Sequence, residues 1–130
     1  MVWFWRLVLT RDWLPAEVRV KAAAKLGAAK HPGAVLTLLR VRHEKDAALA
    51  EAAMAAMKEL GSAAVEPLLK LLRDAAPTER AHAAEALGWL GKDAKLAVAP
   101  LRVRLDDPQT VVRIRAAEAL GRIGPAAVEA

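Results

Sequence analysis

Residues 112–124 read VRIRAAEALGRIG, and residues 79–91 read ERAHAAEALGWLG, so one pattern recurs after 33 positions. Both copies follow the frame Arg-x-x-Ala-Ala-Glu-Ala-Leu-Gly-x-(Leu/Ile)-Gly. Looser copies occupy residues 49–61 and 18–30. Self-similarity at a period of about 30 to 33 residues is typical of repeat proteins, in which each repeat is one supersecondary unit.

A second apolar segment follows each of the first three copies, at residues 34–39, 64–72 and 97–105. Within the copies, apolar residues recur at spacings of three and four, which predicts helices with a wide apolar face. Glycines follow the copies where a left-handed residue would end a helix; these are Gly61, Gly91 and Gly124. The sequence therefore predicts an all-α chain in which each unit holds two helices.

Prolines indicate where the units begin. Pro67 and Pro100 fall in the first turn of second helices, where a missing N–H costs little. Pro15, Pro77 and Pro108 precede first helices. We therefore expect a single domain over residues 1–130. Its parts are an N-terminal capping helix at 1–14, units at 15–45, 46–76 and 77–107, and an incomplete unit at 108–130.

This pattern resembles the HEAT-like repeat family, specifically the short Ala-Leu-Gly type that is also found in phycobilin lyase subunits. The resemblance runs from about Pro15 to the end and is strongest at residues 78–91 and 109–124. It implies an α-solenoid of stacked antiparallel helix pairs, about three and a half units long. Such folds serve many roles, so the resemblance alone does not specify an activity.

Composition removes several classes of site. The chain has no cysteine, which excludes disulfides and thiolate ligands. Its apolar stretches are shorter than the roughly 18–20 residues that span a bilayer, so we expect a soluble, cytoplasmic protein. His31, His43 and His82 lack ligand spacing, and Ser62 has no partner for nucleophilic catalysis. We expect no metal, no cofactor and no enzymatic activity.

An Asp precedes each unit, and an Arg follows in three of the first helices. The aspartates are Asp12, Asp46, Asp74 and Asp107, and the arginines are Arg19, Arg80 and Arg113. An Asp near a helix N-terminus caps free amides, and a neighbouring Arg can hold it through paired hydrogen bonds. We interpret these residues as a structural ladder between units and not as catalytic groups.

The second helices carry a row of cations that we call the basic stripe: Arg40, Arg42, Lys70, Arg73, Arg102 and Arg104. The resemblance implies that second helices line a concave face. A stripe there could bind an acidic protein segment or the phosphates of a nucleic acid, consistent with a net charge of +5. Alternatively, these cations only complement the helix dipole near helix C-termini.

Aromatic residues cluster near the N-terminus: Trp3, Phe4, Trp5 and Trp13. We expect them to form a cap or a self-association surface, and a membrane-surface anchor is a weaker alternative. Trp89 differs, because its equivalents in other copies are Ala28, Glu59 and Arg122. That position tolerates charge, so we expect either an exposed Trp that serves as a contact for a partner or, equally, a partly covered surface residue.

These features favour a protein-interaction scaffold that presents a curved, basic helical surface without intrinsic catalysis. A nucleic-acid-binding module that uses the basic stripe is the first alternative, and a HEAT-like enzyme or lyase subunit is the second. Because the final unit is incomplete, Ile114, Leu120 and Ile123 would lack a cover. We therefore expect either a fragment of a longer array or an end completed by another chain, such as a homodimer through the incomplete terminal units.

Overall fold

The computed structural model describes residues 2–11, 13–42 and 45–124, and all regular structure in these ranges is helical. The helices are α1 (Val2–Leu9), α2 (Ala16–Ala29), α3 (Val35–Arg42), α4 (Ala47–Leu60), α5 (Val65–Asp74), α6 (Pro77–Leu90), α7 (Val98–Arg104) and α8 (Thr110–Ile123). Short 3₁₀ segments at Pro32–Ala34, Gly61–Ala64 and Gly91–Ala97 lead into α3, α5 and α7. This confirms the predicted all-α fold of repeated helix pairs.

First and second helices differ in length. The first helices α2, α4, α6 and α8 each have 14 residues, whereas the second helices α3, α5 and α7 have 7 to 10. A 14-residue helix is about 21 Å long. Equal length lets neighbouring first helices pack along their whole extent.

The chain divides into two compact units, residues 1–64 and 65–130. In the first unit, α2 packs against α1 and α4, and α3 packs against α4. In the second unit, α6 packs against α5 and α8, and α7 packs against α8. The boundary between the units falls within the predicted repeat at 46–76, and the predicted single-domain arrangement stays a prediction.

Alanine and leucine make up most of each core. The largest fully buried side chains include Leu9, Leu26, Leu38, Leu49 and Met57 in the first unit, and Leu68, Leu72, Leu87, Leu101 and Val112 in the second. Apolar burial contributes about 25 cal/mol per Å². Leu9 is the buried residue of α1. The predicted capping helix therefore contributes an aliphatic side chain to the core, and not its tryptophans.

Glycine ends three of the four first helices, as the repeat predicts. Gly61, Gly91 and Gly124 have φ values of 55°, 57° and 83°. Their ψ values, −127°, −124° and −141°, lie outside the ordinary left-handed helical region that we expected. This combination is accessible essentially to glycine alone, so the requirement for glycine is stricter than a left-handed cap would impose. Lys30 ends α2 in the ordinary left-handed conformation.

Candidate partner-binding groove

The second unit contains a buried carboxylate at the loop that precedes α8. The Asp107 side chain is 0% exposed. Arg80 donates to it from Nε (3.0 Å to Oδ2) and from Nη2 (3.1 Å to Oδ1). Arg104 Nη1 donates to Oδ2 at 3.2 Å, and the Gln109 amide donates to Oδ1 at 2.9 Å. Four donors thus surround one carboxylate and fix the loop between α7 and α8.

Burial and hydrogen bonding oppose each other in setting the pKa of Asp107. Burial raises the pKa because it penalises the charged form. The hydrogen bonds from Arg80 and Gln109, with the positive charges of Arg80 and Arg104, outweigh that effect. The pKa of Asp107 therefore lies below its ordinary value of 3.8, and the carboxylate stays ionised at neutral pH.

This arrangement corrects one detail of the predicted ladder. The guanidinium that holds Asp107 belongs to Arg80, in the preceding first helix, and not to Arg113, which follows it. Arg113 instead donates to the Asp107 carbonyl oxygen at 2.7 Å. Arg19 and Arg80 make comparable bonds, to the carbonyl oxygens of Leu9 (2.7 Å) and Ala75 (2.9 Å). Each arginine therefore ties its helix to the segment that precedes it.

The other predicted ladder aspartates play different parts. Asp46 caps α4, because its Oδ1 accepts from the Leu49 amide at 3.0 Å. Asp74 is exposed and lies 3.4 Å from Arg73. Asp12 lies outside the described residues. Among the described aspartates, Asp107 alone makes the predicted connection between one helix pair and the next.

The buried ion pair also changes how the basic stripe is interpreted. Arg104 is half-buried and directs its guanidinium to Asp107, and Arg73 lies beside Asp74. Lys70 and Arg102 are exposed on α5 and α7. Counter-charges within the same unit therefore offset part of the positive charge that the sequence assigns to the stripe.

An open groove of about 530 Å³ lies between α5 and α7, entirely within the second unit. Its lining residues fall at helical spacings of three and four: Glu66, Leu69, Lys70, Leu72 and Arg73 on α5, and Ala99, Pro100, Val103 and Arg104 on α7. Val103, the second-last residue of α7, is 59% exposed. The groove thus combines an apolar floor with a charged rim.

Three members of the basic stripe, Lys70, Arg73 and Arg104, line this groove. Arg102 is exposed but is not part of the lining. Arg40 lies in the first unit, in a separate pocket of about 330 Å³ with Trp3, Arg6, Leu7, Thr10 and Thr37. The side chain of Arg42 lies outside the described part of the structure. The apolar floor was not singled out from the sequence, because its residues share the second-helix pattern of core positions.

The aromatic residues near the N-terminus face outward for the most part. Trp3 is 69% exposed and Trp13 is 76% exposed. Phe4 packs edge-to-face with Trp3 and Trp5, at ring-centroid distances of 6.2 Å and 5.1 Å. Trp89 is half-buried in α6, which agrees with the expected alternative of a partly covered surface residue. The predicted roles of these residues in capping and contact stay predictions.

The three residues that we expected to lack a cover in the last helix differ in exposure. Ile114 is 49% exposed, whereas Leu120 is half-buried and Ile123 is 4% exposed. Only Ile114 of the three lies open, and the predicted homodimer stays a prediction.

Other site types were sought among the described residues. No group of three or more His, Asp or Glu side chains there could hold a metal ion. His31 Nδ1 accepts a hydrogen bond from the Gly33 amide at 3.0 Å, and His43 lies outside the described ranges. Within the same ranges, no helix is long and apolar enough to cross a membrane.

Comparisons with known proteins agree with the fold. The family profile for HEAT repeats matches residues 6–88 and 65–130. Human deoxyhypusine hydroxylase, solved in complex with glycerol, superposes with a TM-score of 0.58 at 29% identity. The match covers 95% of this chain but only 43% of the hydroxylase chain.

An engineered protein solved by a structural genomics consortium superposes with a TM-score of 0.52 at 25% identity. That match covers 98% of this chain and 67% of the engineered one. No curated protein matches the sequence. The two profile matches together extend from residue 6 to residue 130. The chain belongs to the HEAT repeat family.

Proposed function

We propose that the chain is a protein-interaction module whose groove between α5 and α7 binds an amphipathic, acidic segment of a partner protein. The observation that carries the proposal is the pairing, in one exposed groove, of an apolar floor with a rim of three cations and one acid, Lys70, Arg73, Arg104 and Glu66. Amphipathic helices commonly bind in such grooves, with their apolar side chains on the floor. The proposal assigns the chain no reaction of its own.

The floor favours a protein over a nucleic acid. Leu69, Pro100 and Val103 offer apolar surface that a phosphate backbone would leave unused. The rim has three cations, but Arg104 already binds Asp107 and Arg73 lies beside Asp74. Nucleic-acid affinity comes largely from many phosphate contacts, and a rim of three cations and one glutamate supplies few. An acidic side chain beside an apolar anchor matches both parts of the groove.

The proposal can be tested by selecting peptides from a displayed random library on the intact chain. We expect enriched peptides that place Asp or Glu next to large apolar residues. Binding of one labelled peptide should weaken about tenfold in Lys70→Glu, because an attraction at the rim becomes a repulsion. Val103→Glu should reduce binding further, since it places a charge on the apolar floor. Fluorescence anisotropy measures both effects.

Arg102→Glu is the matched control, because it makes the same charge change on the same surface but outside the groove. It should leave peptide affinity within about twofold, a difference well below 1 kcal/mol. Failure to enrich any peptide, or equal losses in Lys70→Glu and Arg102→Glu, would contradict the proposal. Labelled RNA or DNA that binds with a steep salt dependence would instead support the alternative of a nucleic-acid-binding module.

A cytoplasmic setting is part of the proposal. The cysteine-free sequence fits a reducing compartment, where structural disulfides are rare. The chain spans less than half the length of the deoxyhypusine hydroxylase, and the proposal carries over no activity from that enzyme.

A further inference from the structure

Contacts between α6 and α8 fix the relative direction of the two helices that form the groove. A Cβ added at Gly88 of α6 would lie 2.9 Å from the Cα of Ala119 in α8. One turn earlier in both helices, Glu85 lies 3.6 Å from Arg115, so α6 and α8 run parallel. Two residues join α5 to α6 and five join α7 to α8, which makes each of these pairs antiparallel. Helices α5 and α7 therefore run parallel to each other.

The charges that line the groove differ between its two ends. Glu66 lies in the first turn of α5, whereas Arg73 lies in its last turn and Arg104 ends α7. Lys70 lies between Glu66 and Arg73 on the same face of α5. Because α5 and α7 run parallel, the groove has an acidic end at Glu66 and a basic end at Arg73 and Arg104. Seven residues, about 10 Å along a helix, separate Glu66 from Arg73.

The basic end keeps a positive charge although its arginines have acidic neighbours. Arg104 gives one N–H, on Nη1, to Asp107, and a guanidinium has five. The cluster of Arg80, Arg104 and Asp107 has two cations and one anion, so its net charge is +1. Asp107 also holds Arg104 in place, which reduces the entropy that this side chain loses on binding. Asp74 and Asp106 follow the arginines in sequence but do not line the groove.

Apolar side chains lie between the two charged ends. On α5, Leu69 is half-buried and comes three residues after Glu66 and four before Arg73. On α7, Val103 is 59% exposed and lines the groove beside it. Residues three and four positions apart lie on the same face of a helix. A helix lying along the groove would therefore meet, in order, a charge, an apolar patch and the opposite charge.

The dipole of a bound helix decides which of its ends meets which charge. A helix is stabilised by an acid near its N-terminus and by a base near its C-terminus. A helix with that order matches the groove when its acid lies at the basic end and its base at the acidic end. Its N-terminal part then lies over the C-terminal ends of α5 and α7.

We propose that the groove selects a helical partner segment with the pattern acid-x-x-apolar-apolar-x-x-base, bound antiparallel to α5 and α7. The acid pairs with Arg73 and Arg104, the two apolar residues contact Leu69 and Val103, and the base pairs with Glu66. The pattern adds a charge order and a direction to the partner of this groove, and it therefore rests on the proposed function.

Peptide selection on the wild type and on Glu66→Lys tests the charge order. On the wild type, we expect enriched peptides with Lys or Arg seven positions after Asp or Glu. On Glu66→Lys, an acid should replace that base, since the acidic end has become basic. Glu79→Lys is the matched control, because Glu79 also lies in the first turn of a helix but outside the groove. It should return the wild-type pattern.

A defined probe measures the size of the effect. We expect a labelled helical peptide with the core Glu-Ala-Ala-Leu-Leu-Ala-Ala-Lys to bind Glu66→Lys about tenfold more weakly than the wild type. Its affinity for Glu79→Lys should stay within about twofold. Changing the lysine of the peptide to glutamate should restore binding to Glu66→Lys. Circular dichroism checks that both variants fold.

These experiments separate the charge order from the groove itself. Enriched peptides without a base at that spacing, or identical peptides from the wild type and Glu66→Lys, would overturn the charge order and leave the proposed function standing. Such a result would mean that Glu66 serves only the dipole of α5. If no peptide is enriched on the wild type, both the charge order and the proposed function are wrong.

The direction of the bound helix can be measured with a spin label. Because the chain has no cysteine, Arg102→Cys provides a single attachment site in the last turn of α7, near the basic end and outside the groove. A nitroxide there should broaden the NMR signals of the acidic, N-terminal end of the bound probe more than those of its basic end. Stronger broadening at the basic end would overturn the antiparallel direction.

Discussion

Replacing Asp107 with Ala should lower the free energy of unfolding by about 3–5 kcal/mol. The substitution removes a fully buried carboxylate and leaves Arg80, which is only 15% exposed, without its counter-charge. It also removes the acceptors for Arg104 and for the Gln109 amide. Small domains are stable by about 5–15 kcal/mol, so this loss should be readily visible as a lower urea midpoint.

Asp74→Ala is the matched control, since Asp74 occupies the same repeat position 33 residues earlier. Its carboxylate is 57% exposed and lies near an arginine that is 70% exposed. Exposed pairs contribute about 0–1 kcal/mol, so Asp74→Ala should change stability by no more than that. Similar losses from the two substitutions would show that the buried ion pair is not the source of the difference.

The pH dependence provides an independent check on Asp107. Its folded-state pKa is depressed below 3.8, so folding favours the ionised form. The stability it contributes is fully present above about pH 5 and is lost as the pH falls through the folded-state pKa. Asp107→Asn cannot titrate. The difference in unfolding free energy between wild type and Asp107→Asn should therefore shrink as the pH falls below about 4.

Much of the fold could be predicted because the repeat frame is explicit in the sequence. The copies at 79–91 and 112–124 lie in α6 and α8, and the glycines that follow them end those helices. The family and the all-α class follow from the same residues. These features depend on local periodicity and helix termination, which a single sequence records directly.

The candidate site could be predicted only in part, because side-chain partners depend on packing between repeats. Spacing alone put Asp107 next to Arg113, whereas packing brings Arg80 to it across 27 positions. The same packing commits Arg104 to that carboxylate and removes it from the free cations of the basic stripe. The apolar floor also went unnoticed, because Val103 has the residue type of a core position but is 59% exposed.

Replacing the glycine of the Ala-Leu-Gly pattern should have the second large effect on stability. The size of the loss should differ between Gly88 and Gly121. Gly88→Val should lower the free energy of unfolding by about 3 kcal/mol, because the new side chain meets the backbone of Ala119 and forces α6 away from α8. A flexible side chain could move aside, but a backbone Cα in a packed helix cannot do so cheaply.

Gly121→Val makes the same chemical change at the equivalent position, where no described atom lies within 4 Å. Here the helix gains from losing a glycine and meets no obstruction, so stability should change by no more than about 0.5 kcal/mol. Urea unfolding of both variants at low protein concentration measures the contrast without interference from association. Equal destabilisation by the two substitutions would mean that glycine is required by the helix itself. A contrast of the expected size would assign the requirement for glycine at position 88 to the approach of α8.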